Sequence, residues 1–150
     1  MELREQVREW LIDAKVGFID KAELVARADE AIRQNDTPPD YLIAVSLGEA
    51  LDHLPRLDLV KEPMDLEDLQ RLAARLLRAL EANQIDLEGV GAIAARITFP
   101  RSDEGMIDAW VQFDWITDEL DLVESGIKEG HNLRDRVAQA LQDASGHEGQ

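Results

Sequence analysis

The chain has 150 residues, with 32 Asp and Glu against 16 Lys and Arg, a formal net charge of −16, no cysteine, 45% hydrophobic residues and 5% aromatics. A chain of this length buries roughly 68–70% of the surface its unfolded form exposes, so it can fold without disulfides or a structural metal. The charge argues against a phosphate-tracking nucleic-acid surface and an anionic-membrane surface, both of which need clustered Lys and Arg, and the missing cysteines exclude thiolate catalysis, thiolate metal sites and a disulfide framework.

Helical periodicity dominates from the start. Leu3, Val7, Trp10, Leu11 and Ala14 form the apolar stripe of a first helix that Gly17 ends. Asp20 and Glu23 make a capping pattern for a second helix, with Leu24, Val25, Ala28, Ala31 and Ile32 on its core face and an end near Asn35. Pro38 and Pro39 are both a stop and a start, after which Tyr41, Leu42, Val45, Leu51 and Leu54 line a third. Pro55 and Pro63 bracket a polar–apolar alternation that reads as a connector and as the best place for a hinge.

Asp65 opens the clearest helix of the chain, with Leu66, Leu69, Leu72, Ala73, Leu76, Leu77 and Leu80 along one side. Asp86 caps a further segment from Leu87 to about Ile97, in which Gly89 and Gly91 are each poorer helix residues than Ala by roughly 1 kcal/mol. Tight packing against small residues explains them better than a ligand does, because the remaining glycines and the Lys-Ser/Thr of a phosphate loop are missing. Ile97, Thr98 and Phe99 leave room for one very short strand before Pro100. A long helix then runs from Ser102 to about Val123, Ser125 and Gly126 form its exit, and a last helix carries Leu133, Val137, Ala140 and Leu141. The expectation is an all-α, single-domain bundle of six or seven helices over residues 1–144, with residues 145–150 as a disordered tail.

The segment from Ser102 to Ile127 holds Asp103, Glu104, Asp108, Asp114, Asp118, Glu119, Asp121 and Glu124 without one Lys or Arg. At about 100° per residue, Met106, Ala109, Trp110, Phe113 and Leu120 share the core side, and Val111, Trp115 and Leu122 fall opposite, among Glu104, Asp108, Asp118 and Glu119. That pattern points to a protein interface, with Trp115, Val111 and Leu122 as anchors and Asp108, Asp118 and Glu119 steering a basic partner. The plainer alternative is a central helix covered on both sides, its acids facing Arg71, Arg75 and Arg78.

Metal-dependent hydrolysis is the enzyme alternative. Asp118, Asp121 and Glu124 stand at i, i+3 and i+6, and Glu49 and Asp52 one turn apart could complete a divalent-cation site for a phosphohydrolase. With 32 acids in 150 positions, such spacings also arise by chance. His53, His131 and His147 form no metal-ligand doublet, and Ser46 and Ser125 lack a nucleophile-elbow context, so no catalytic residue, metal or cofactor is assigned.

No motif specific to a known family stands in the sequence. The N-terminus has no apolar stretch behind a basic start, and no run of about 18 apolar residues occurs, so a cytoplasmic protein without a membrane span is expected. The function expected is a non-catalytic acidic protein-binding module, such as an immunity-type inhibitor of a toxin or an adaptor for a basic nucleic-acid-binding protein. An architectural subunit is the third reading, and the acidity could also be a solubilising surface alone.

Overall fold

The computed structural model describes residues 2–48, 65–97, 107–126, 130 and 132–146, with the side chains of 107–110 outside that set. The fold is all-α: the described residues form seven helices and no strand. Two compact units divide the chain, Met1–Glu62 and Pro63–Gln150, so the division falls at the second proline of the segment read as a hinge. Leu51 and Leu54, Thr98 and Phe99 of the suggested strand, and the start of the long helix at Ser102 all lie outside the described residues.

The first unit comprises α1 (Leu3–Lys15), α2 (Lys21–Arg33) and α3 (Asp40–Ser46), with α2 packed against both of the others. Val7, Leu11 and Ile12, Leu24 and Ala28, and Leu42 and Val45 are all buried between them. At the end of α1, Gly17 takes a φ of 84°, a left-handed conformation that costs glycine least. The chain thereby folds back so that Phe18 N–H donates to the Asp13 carbonyl at 2.7 Å, satisfying one of the carbonyls a helix end leaves open. Asp20 then caps α2, its carboxylate accepting from Glu23 N–H at 2.7 Å. The Arg4 guanidinium lies 5.8 Å from the Tyr41 ring centroid, and Ser46 donates its hydroxyl proton to Asp29, which ties α3 to both neighbours.

The second unit comprises α4 (Leu66–Glu81), α5 (Leu87–Ala95), α6 (Ile107–Glu124) and α7 (Leu133–Ala144). α7 packs on α4 and α6, and α5 packs on α6. Asp65, expected to open its helix, and Asp86, expected to cap one, each accept from the third backbone N–H of the helix at 2.9 and 2.8 Å. The predicted leucine row of α4 is the core, with Leu69, Leu72, Leu76, Leu77 and Leu80 buried against Val90, Ile93, Phe113, Ile116, Val137 and Leu141 of this unit. Asn83 ends α4 in the left-handed region at φ 58°, and Gln84 N–H donates to the Ala79 carbonyl at 2.8 Å. Arg134 of α7 reaches the same end, donating to the Leu80 carbonyl and, at 2.7 Å, to Asn83 Oδ1. A cation there complements the negative pole of the helix.

Gly91 explains how α5 and α6 meet. A Cβ at this position would lie 2.6 Å from Leu120 Cδ1, closer than any carbon contact allows. The glycine therefore has the packing role that its cost in helix propensity suggested.

Candidate functional site

α6 is the helix on which the sequence concentrates both acids and a second apolar stripe. Its core side is fixed by Phe113 and Ile116, both fully buried, with Leu120 half-buried. Ile116 was not in the stripe expected from the sequence, whereas Met106, Ala109 and Trp110 of that stripe have no described side chains. On the opposite side, Val111 is 53% exposed and Leu122 36% exposed. Trp115 is half-buried and Asp118 exposed. At i, i+4, i+7 and i+11, Val111, Trp115, Asp118 and Leu122 share one face of the helix.

Trp115 and Val111 form one wall of a groove of about 300 Å³ between α6 and α7, with Ala140, Gln139 and Arg136 across from them. The indole is half-buried and borders this groove, an arrangement suited to an aromatic side chain that anchors a partner. Asp114 and Asp121 are exposed on either side of the Asp118 position and add to the acidic field around the stripe.

Glu119 takes a different place from the one expected. Its side chain is 3% exposed and its Oε1 accepts a charge-assisted hydrogen bond from Arg136 Nη1 of α7. A buried carboxylate so paired fixes α7 against α6 and is not available to steer a partner from solvent. The reason is the neighbouring helix: Glu119 lies about 80° round α6 from Val111, on the flank where Arg136 of α7 meets it. Asp108 lies in α6, and its side chain is outside the described residues. Of the six expected contact residues, the structure therefore brings Val111, Trp115, Asp118 and Leu122 onto one accessible face.

The carboxylates considered for a metal spread apart. Asp118, Asp121 and Glu124 are all exposed, and at about 100° per residue their positions fan over roughly 120° of the helix surface. Among the described residues no three His, Asp or Glu side chains come together as metal ligands. Glu49, Asp52 and the three histidines lie outside the described residues. The two serines considered as nucleophiles have local partners: Ser125 Oγ donates to the Asp121 carbonyl at 2.9 Å, closing the end of α6, and Ser46 pairs with Asp29.

Sequence reasoning missed Arg136 as the residue that orders this site. Arg71, considered as the counter-charge for the α6 acids, bonds Glu67 one turn earlier in its own helix at 2.6 Å. Arg136 follows Arg134 by two residues on α7, so the two guanidiniums leave the helix on different sides, one to α4 and one to α6. No described helix is long and apolar enough to cross a membrane. No protein-family model matches the chain, and no curated protein or solved structure shows significant similarity to it.

Proposed function

We propose that this chain is a non-catalytic, acidic protein-binding module that takes a basic protein partner on the open face of α6, in the manner of an immunity-type inhibitor or an adaptor. The observation that carries this reading is the alignment of exposed Val111 and Leu122 with half-buried Trp115 on a face bordered by exposed Asp114, Asp118 and Asp121. A single exposed aliphatic residue is ordinary on a protein surface. Three large apolar side chains in one row are a patch that a partner can dehydrate, with Trp115 as the anchor.

The carboxylates beside the row contribute little direct affinity and much to encounter. Their field attracts a basic surface over a Debye length of about 8–10 Å and is screened as salt rises. Asp118 sits within the row and meets the partner's charge; Glu119, through Arg136, holds the α6–α7 pair that presents it.

Affinity capture from cells that make the protein, at low and high salt and beside Trp115→Ala, tests the reading. A basic protein should be retained by the native chain, released by salt and lost with Trp115→Ala. Retention of the same protein by Trp115→Ala would place the interface elsewhere.

A further inference from the structure

We propose that the groove between α5 and α6 is a second docking surface, whose occupant is a cationic amphipathic α-helix of another protein. The groove encloses about 650 Å³, and its floor is made by Gly91, Ala92 and Ala95 of α5 and by Leu120 of α6. Ala92 and Ala95 expose only methyl groups, and Leu120, seated against Gly91, supplies the larger apolar surface between the helices. Leu120 is nine residues from Val111, half a turn round α6 at about 100° per residue. The groove thus lies away from the row proposed above and does not depend on that reading.

The rim states the charge of the occupant. Glu88 on α5 and Asp121 and Glu124 on α6 stand exposed along it, and none of the described residues lining the groove is Lys or Arg. An apolar floor between carboxylates matches a ligand with an apolar stripe flanked by Lys or Arg, and opposes an acidic one. A second copy of this chain, at a net charge of −16, is opposed for the same reason. A helix suits the groove better than an extended segment, because among the described residues no sheet edge is present to pair with the amides of an extended chain. A helix also places residues at i, i+4 and i+7 along the floor.

Titration of isotope-labelled protein with a synthetic Leu/Lys amphipathic peptide of about 18 residues, long enough to be helical when bound, tests the proposal by chemical-shift mapping. The expected result is shifts at Gly91, Ala92, Ala95 and Thr117 with the Trp115 indole unmoved. Ala92→Phe and, separately, Ala95→Phe fill the groove from exposed positions and should each weaken binding about tenfold. If one variant fails to fold, the other carries the comparison. Equal affinity for a peptide of the same composition in scrambled order would overturn the proposal, since charge alone would then explain binding. Shifts centred on Val111 and Trp115 would overturn it in favour of the α6 row, and displacement of the peptide by spermine with the same shift pattern would overturn it in favour of a small polycation.

Discussion

Arg136 on α7 donates from Nη1 to Oε1 of Glu119 on α6, seventeen residues earlier, and the carboxylate it meets is 3% exposed. Taking the cation away leaves a buried carboxylate without this donor, whereas replacing both groups by apolar side chains of similar volume removes the desolvation cost as well. Arg136→Ala should lose about 2–4 kcal/mol in urea unfolding, and Glu119→Met with Arg136→Met should recover most of it. Additive losses in the double variant would contradict the pairing.

The helix ends offer a second comparison. Asp20, Asp65 and Asp86 each accept a backbone N–H at the start of a helix, and Ala at any of them should cost about 1 kcal/mol. Arg134→Ala, which removes two bonds at the end of α4, should cost a similar amount, about 1 kcal/mol. Thermal unfolding of the four single variants measures both, and a silent Asp65→Ala would contradict the cap as drawn.

Gly91 and Leu120 should be coupled. An Ala at position 91 improves helix propensity by about 1 kcal/mol, but its Cβ forces the Leu120 methyl, 2.6 Å away, to move. Leu120 lines an open groove and can shift, so Gly91→Ala alone should stay within about 1 kcal/mol of the native stability. In a Leu120→Ala background the same change should stabilise by about 1 kcal/mol. Equal effects in both backgrounds would show that the two residues do not touch.

Trp115 and Phe113 lie two positions apart and differ in what they do. Phe113 is fully buried, and Phe113→Ala should cost about 3–5 kcal/mol. Trp115 is half-buried at the groove, so Trp115→Ala should cost less than about 2 kcal/mol. Partner binding, by contrast, should fail with Trp115→Ala in a protein that is still folded, which circular dichroism checks.

Lys15, at the end of α1, has its pKa lowered below the usual 10.5 by burial. The folded state therefore binds fewer protons than the unfolded chain between the lowered value and 10.5, and stability rises with pH across that window. Below it both states are protonated and the burial penalty is present in full. Lys15→Met should raise the melting temperature most around neutral pH, with the gain shrinking as pH rises through the lowered value towards 10.5. A gain independent of pH would assign the effect to packing instead.

What the sequence made legible is what local chemistry decides. The caps at Asp20, Asp65 and Asp86 need only a carboxylate just ahead of an apolar helical run and the N–H three residues on, so an Asp at each helix start was signal enough. The leucine row of α4 and the packing role of Gly91 were readable for the same reason, from periodicity and from the cost of glycine in a helix. α6 was harder, because it carries apolar residues on two sides and the wheel alone does not say which flank a neighbour covers. The position of Glu119 was settled by Arg136 on another helix, and no spacing within α6 encodes that contact. Val111, Trp115, Asp118 and Leu122 were found as a row because they belong to a single helix face.

Site-specific photo-crosslinking in cells that make the protein tests the central claim most directly. A crosslinker at Val111 or at Leu122 should capture one basic protein, and the same group at exposed Arg78 of α4 or Gln142 of α7 should not. Raising salt in an extract should weaken the capture. An identical product from all four positions, or an acidic protein captured at Val111 and Leu122, would contradict the account.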